Sequence, residues 1–342
     1  MPNSATIKPL RVAVFAGSAF AQPTIGHLSQ HNLLAGVILP ATGPQQNVTP
    51  EVQQLAQLCA SANIPWLLAG KDNVNLVNQT LTQWQANAGL IATYPHLLNK
   101  DQLDYFDASQ NRGIYNLHAS ALPAYRGPQP LYWQLRNHEK ESAIILHKAT
   151  TTADAGNIIH QHPVPIHPLD TLPSLSQRMA YESIACCEQW IAQLKNTSGA
   201  LAGIAQIQSS LSKPNYAHRP SPEERAIRFG KMTATDINAL CRAGNASAYT
   251  ALMTIKGLSI NVLQATAVSR PTYGTLAGTV LHVGEPEGLL VCAKNSTVRL
   301  DILASPDGIY TGQAFAERFD IDAGTPLEPS NTFSNTFFQQ PA

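Results

Sequence analysis

Charge is scarce in this sequence. Lys and Arg together number 22, Asp and Glu another 22, and charged residues make up 13% of the chain. A formal net charge of zero gives no electrostatic reason to expect a nucleic-acid or anionic-membrane partner. No apolar run approaches the length that spans a bilayer. The opening Met1-Pro-Asn-Ser-Ala-Thr-Ile-Lys8 lacks the apolar segment of a signal peptide. Cysteine is equally sparse. Cys59, Cys186, Cys187, Cys241 and Cys292 are odd in number and include no CxxC pair, so reduced thiols in the cytoplasm are expected, rather than disulfides or zinc. Neither a P-loop, a GxGxxG fingerprint nor a GxSxG elbow is present. His160-Gln161-His162 offers two imidazoles but no third ligand in view, so no metal is expected.

Hydrophobic content is ordinary at 44%, and 342 residues suffice for two domains. Arg11–Ala16, Leu34–Leu39, Gly89–Thr93, Gly113–Leu117, Ser142–His147 and Asn157–Ile166 read as strands. Phe20–His31, Gln53–Ala62, Leu76–Ala86 and Ser174–Gln193 carry helical spacing. Strands alternating with helices predict a mostly parallel sheet with helices on both faces. The polar, proline-bearing stretch from about Gly203 to Pro222 predicts a linker. Beyond it, Thr233 is placed to cap a helix, and five short β-rich runs separated by Gly or Asn turns predict a small C-terminal β-barrel. The boundaries expected are 1–202, a linker 203–224, a β-domain 225–328 and a disordered tail 329–342.

The most informative stretch is Asn116-Leu-His118-Ala-Ser120-Ala-Leu122-Pro123-Ala-Tyr-Arg126-Gly127. Alternate residues of an extended segment share a face, so Asn116, His118 and Ser120 should point together at a strand end. An amide beside a titratable imidazole suits acyl transfer. Asp154-Ala155-Gly156 follows further along the chain. Together these match the pattern Asn-x-His-x-Ser-x-Leu-Pro-x-x-Arg-Gly followed by Asp-x-Gly, and the chain resembles the formyltransferases that use 10-formyltetrahydrofolate. The similarity extends over roughly residues 11 to 327, specific in the first domain and weaker in the second.

The resemblance implies a Rossmann-like first domain and an OB-like β-barrel after it. It implies Asn116, His118 and Asp154 as catalytic residues. Ile91, Tyr94, Leu97, Leu98, Ala149 and Thr150 fall at positions expected to hold folate, and Gly17, Ser18, Ser120 and Arg126 at positions that could meet the acceptor. Ser120 could instead cap the turn before Leu122-Pro123, and Arg126 could hold the loop through backbone carbonyls. In the chemistry so implied, Asn116 and His118 stabilise charge on the formyl oxygen, and Asp154 orients His118 and accepts the amine's proton.

Three departures from the family pattern bear on the acceptor and the loop. Thr150-Thr151-Thr152 replaces the first Asp-x-Gly before the catalytic aspartate, and Thr152 would be strained if its φ had to be positive. The segment from Gly36 to Gly70 holds no Lys or Arg, whereas the initiator-tRNA enzymes carry a basic insertion there. From Arg225 onward, nine basic and nine acidic residues leave no excess for phosphate contacts. Arg228-Phe229 stands where the family has Asp-Trp; Phe229 is expected to pack, and Arg225 and Arg228 to be solvated. The expected activity is therefore N-formylation of a small-molecule amine, such as an amino sugar, a hydroxylated amino acid or another biosynthetic intermediate. Formylation of methionyl-tRNA, hydrolysis of formyltetrahydrofolate and non-catalytic folate binding are the alternatives. Sequence alone sets no oligomeric state.

Overall fold

The computed structural model describes residues 8–41, 47–207 and 216–327. The expected tail, part of the expected linker, and Thr42–Gln46 lie outside these residues. The described chain falls into two compact units. One comprises residues up to Pro130, Glu141–Pro165 and Ser176–His218; the other comprises Leu131–Lys140, Ile166–Leu175 and the chain from Arg219.

The first unit begins with five parallel strands, β1 (Val12–Ala16), β2 (Leu34–Pro40), β3 (Trp66–Ala69), β4 (Ala88–Ala92) and β5 (Ile114–His118). Helices α1 (Gln22–Gln30), α2 (Pro50–Ser61), α3 (Val74–Gln83) and α4 (Lys100–Asp107) connect them. After α5 (Pro130–Arg136), which from Leu131 on belongs to the second unit, come β6 (Glu141–Lys148), β7 (Ile158–Pro165) and the long α6 (Leu172–Lys195), which enters the first unit at Ser176. The strand order is β3-β2-β1-β4-β5-β6-β7, with β6 and β7 antiparallel. Both faces are covered, which explains the continuous apolar runs. Ile114 joins a core cluster with Phe15, Val77, Leu81 and Phe106, while Tyr115, one residue on, meets Trp190 of α6 with ring centroids 5.5 Å apart.

Four features up to His218 escape the sequence reading. Strand β3 is a four-residue edge with Trp66 exposed. Helix α4 is short and polar, its buried positions limited to Gln102 and Phe106, one turn apart; a capping box between Asn99 and Gln102 starts it. Helix α5 is only seven residues long. The segment expected as a linker returns to the first sheet: Ile204 and Ile158 exchange two 2.8 Å backbone bonds, and the Ala217 N–H donates to the Arg126 carbonyl at 2.6 Å.

The second unit contains α7 (Pro222–Arg225), α8 (Ala234–Gly244) and β8 (Ala251–Ile255), β9 (Leu258–Val268), β10 (Val280–Gly284), β11 (Gly288–Ala293), β12 (Ser296–Ser305), β13 (Gly308–Thr311), then α9 (Gly312–Arg318). Its antiparallel path is β10-β11-β12-β9-β8, with β13 on β12. Thr233 caps α8 as expected, accepting the Asp236 N–H at 3.2 Å. Phe229 is buried and Arg228 exposed. Arg225, expected to be solvated, is half-buried and donates to the Ala248 carbonyl at 3.0 Å; burial lowers its pKa. No described helix is long and apolar enough to cross a membrane.

Phe106 is fully buried beside Phe15, at 6.3 Å between ring centroids. Phe106→Ala should therefore destabilise the protein by about 3–5 kcal/mol in urea unfolding, against about 1 kcal/mol for loss of the α4 cap in Asn99→Ala.

Candidate active site

In open α/β sheets the crevice lies at the carboxyl ends of strands, where the order of connection reverses. Here that point is between β1 and β4, because the chain runs outward to β2 and β3 on one side and to β5 on the other. Gly17 and Ser18 follow β1, and Thr93 follows β4. Thr93 holds φ 62°, and Ser18 Oγ lies 2.8 Å from Thr93 Oγ1. Only glycine fits at position 17, since a Cβ there would stand 2.3 Å from the Thr93 carbonyl oxygen.

Asn116 and His118 occupy alternate positions at the carboxyl end of β5. The antiparallel register sets Asn116 directly opposite His147 of β6. Asp154 reaches the same point from the loop after β6. Its carboxylate Oδ1 accepts the Asn116 Nδ2–H at 3.1 Å, and Oδ2 accepts the Gly127 N–H at 2.8 Å. Oδ1 is also 3.5 Å from His118 Nδ1 and from His147 Nε2. The structure thus brings Asn116, His118 and Asp154 together and adds His147, which the sequence reading passed over. The available signal was a lone histidine ending the apolar run Ser142–His147, since a buried polar side chain needs a partner.

Backbone acceptors set the proton positions. His147 Nδ1 lies 3.0 Å from the Lys148 carbonyl, so that nitrogen carries the hydrogen, and Nε2 accepts the second Asn116 N–H at 3.0 Å. His118 Nε2 lies 2.9 Å from the Tyr125 carbonyl and carries its hydrogen there. Both amide hydrogens of Asn116 are consequently engaged inside the cluster. The neutral His118 then presents the Nδ1 lone pair to a carboxylate oxygen.

Burial lowers the proton affinity of His118, outweighing the opposite pull of Asp154 and the Tyr125 carbonyl. Burial also raises the Asp154 pKa, but His147, His118 and the Gly127 N–H together bring it down to about 2. The Gly127 and Asn116 N–H groups both donate to this carboxylate and help hold it ionised at neutral pH.

The aspartate's loop departs from expectation in one respect. Thr152 is not the strained residue. Thr150 Oγ1 donates to the Thr152 carbonyl at 2.8 Å and accepts its N–H at 3.3 Å, closing a small turn without left-handed backbone. Asp154 itself holds φ 51°, a conformation costing about 1–2 kcal/mol that Asp tolerates better than most residues. Gly156 runs so close to β6 that a Cβ would meet the Lys148 carbonyl oxygen at 1.8 Å.

The other anticipated residues divide between surface and core. Leu97 is exposed, and Ile91 and Tyr94 are half-buried against the core cluster. Tyr94 meets Phe15 edge-on at 5.4 Å, and burial pushes its hydroxyl up to about 12. Leu98 and Ala149 sit inside that core, and Thr150 is exposed. Ser120 is fully buried and donates to the Ala124 carbonyl at 2.7 Å, so its hydroxyl holds the turn. Arg126 donates from Nε to the Gln206 side-chain oxygen at 3.2 Å.

Because the folded pKa of His118 lies below its unfolded value near 6.5, the unfolded chain takes up the proton first. Stability from this group is complete above that value and is lost as the pH falls toward the folded pKa. Between pH 7.5 and 5.5 the melting temperature of the wild type should drop more than that of His118→Gln. Parallel curves would show that burial does not disfavour the imidazolium.

The formyl transferase family matches residues 10–188, and its C-terminal domain family matches residues 220–319. Among solved structures, HypX from Aquifex aeolicus in complex with tetrahydrofolic acid aligns with a TM-score of 0.61 at 10% identity, covering 91% of this chain. This chain spans only 48% of HypX. The N-formyltransferase from Helicobacter canadensis, complexed with folinic acid and dTDP-3-aminofucose, aligns at 0.60 with 18% identity, covering 88% of this chain and 100% of that one. WlaRD, a sugar 3N-formyl transferase crystallised with dTDP and 5-N-formyl-THF, aligns at 0.59 with 16% identity, covering 85% and 97%. At these identities the structural matches speak for the fold, while the sequence match covers more than half of the residues: this chain belongs to the formyl transferase family.

Proposed function

We propose that the protein is an N-formyltransferase moving the formyl group of 10-formyltetrahydrofolate to the amine of a small-molecule acceptor, in the cytoplasm. One observation carries the reading: the cluster around Asp154 is one proton short. His118 Nδ1, His147 Nε2 and both oxygens of Asp154 are acceptors, and among the described residues the Asn116 and Gly127 N–H groups serve them. An amine attacking a formyl carbon must shed a proton, and this cluster is built to receive one. Protonated at Nδ1, His118 would face the Asp154 carboxylate as an ion pair, offsetting the cost of burying its charge. His118 is thus the general base, Asp154 its partner, and Asn116 the donor nearest the formyl oxygen. Each Asn116 N–H must leave His147 or Asp154 to serve that oxygen, which couples catalysis to a rearrangement of the cluster.

The folate would be held by the apolar surface of Ile91, Tyr94 and Leu97, with the Tyr94 hydroxyl remaining an un-ionised donor at neutral pH. Two features support a small acceptor: the lack of any Lys or Arg between Gly36 and Gly70, and two neighbours that align over nearly their full length, one a sugar 3N-formyl transferase and the other an N-formyltransferase complexed with dTDP-3-aminofucose. Five free, buried cysteines support the reducing compartment.

Turnover of 10-formyltetrahydrofolate with a panel of amines tests the proposal. His118→Ala and Asp154→Ala should each lose about 10²–10⁴-fold in rate, with tetrahydrofolate affinity by calorimetry nearly unchanged. Retention of most activity in either variant would refute the role assigned to it. Formylation of methionyl-tRNA that weakens steeply with salt would replace the small-amine reading.

A further inference from the structure

The backbone carrying Asp154 is held by a residue far along the chain. Gln206 donates both amide hydrogens, one to the Asp154 carbonyl and one to the Gly156 carbonyl, each at 2.8 Å. Its side-chain oxygen accepts from Arg126 Nε at 3.2 Å and from the Arg126 Nη2 group. The next residue, Gly127, supplies the N–H that binds the Asp154 carboxylate at 2.8 Å. The contacts close a ring: Asp154 carboxylate, Gly127 amide, Arg126 guanidinium, Gln206 amide, Asp154 carbonyl. The two carbonyls pinned by Gln206 belong to the Asp154–Ala155 and Gly156–Asn157 peptides, so one side chain sets the planes on either side of the Ala155-Gly156 step. Gln206 is itself anchored two residues upstream, where Ile204 pairs with Ile158. It lies outside both stretches that match the family, 10–188 and 220–319.

We propose that Gln206 is a positioning residue for formyl transfer, holding the Asp154 loop in its left-handed conformation so that the carboxylate faces His118 and Asn116. It serves where the usual first Asp-x-Gly of this loop is replaced by Thr150-Thr151-Thr152, and where the Thr150 hydroxyl is spent within its own turn. Arg126 acts through Gln206, since its guanidinium fixes which end of the amide faces the two carbonyls.

This inference rests on the catalytic reading of Asp154, and its test separates the two. The full chain, labelled at histidine carbons, is compared by NMR as wild type, Asp154→Asn, Gln206→Met, Gln206→Glu and the double variant Asp154→Asn with Gln206→Met. His118→Gln and His147→Gln identify the two imidazole signals. Gln206→Glu keeps the volume and the acceptor for Arg126 but loses both donated hydrogens. Both Gln206 variants should move the His118 and His147 signals, and the double variant should match Asp154→Asn alone, as expected of residues acting as one unit. With an amine that supports turnover, both should lower kcat by about 10²-fold, the order expected of a misplaced catalytic group, with the folate KM within twofold of wild type. Wild-type imidazole signals in both variants would overturn the proposal, as would a shift in Gln206→Met alone. So would loss of the native circular dichroism in both, since Gln206 would then be a folding determinant. An absence of turnover with every amine, alongside coupled imidazole signals, would instead count against the formyl-transfer reading while leaving the positioning role intact.

Discussion

The site depends on keeping one carboxylate ionised beneath the surface. Burial works against the charge of Asp154, and the surrounding fold can be understood as the means of overcoming it. The register between β5 and β6 delivers an amide and an imidazole from adjacent strands. The loop after β5 turns so that the Gly127 N–H points inward. The aspartate's own backbone adopts an unfavourable left-handed angle, and Gly156 permits an approach to β6 that no side chain would survive. Each accommodation is small. Together they leave an anion beside an imidazole whose proton affinity burial lowers.

That arrangement also separates two kinds of contribution within the catalytic unit. The parallel strands β1 and β4 supply a crevice and an apolar wall in which core and surface are continuous, because Phe15, Tyr94 and Phe106 form one chain of edge-on contacts. The antiparallel pair β5 and β6 supplies the polar cluster of Asn116, His118 and His147. The boundary between the two falls at the Ile91–Asn116 pairing of β4 with β5.

The order of elements and the catalytic motif were legible because they are local. Period-two alternation put Asn116 and His118 on one face, and their spacing to Leu122-Pro123 and Arg126-Gly127 identified the family. His147 was not visible in this way, since its role comes from cross-strand register, which no single segment encodes. The same holds for Gln206, which sits in a stretch whose prolines and serines suggested a linker. The Thr150–Thr152 substitution drew attention to the wrong backbone: the hydroxyl of Thr150 satisfies the turn, and the positive φ falls on Asp154. Leu98 and Ala149, at positions the resemblance assigns to folate, pack in the core cluster. The pattern of alternating burial could not separate the two uses.

The two stretches that match the family leave residues 189–219 to neither. Within that interval Ile204 pairs with β7's first residue, Gln206 binds the aspartate loop, and the Ala217 N–H reaches the Arg126 carbonyl. The catalytic unit is thus completed by chain that follows its last helix, like a garment fastened by the thread that leads to the next piece. Exchange of C-terminal domains between relatives, in nature or by recombination in the laboratory, has a built-in seam. A crossover immediately after α6 separates the aspartate loop from its fastening, whereas one just beyond His218 keeps the two together.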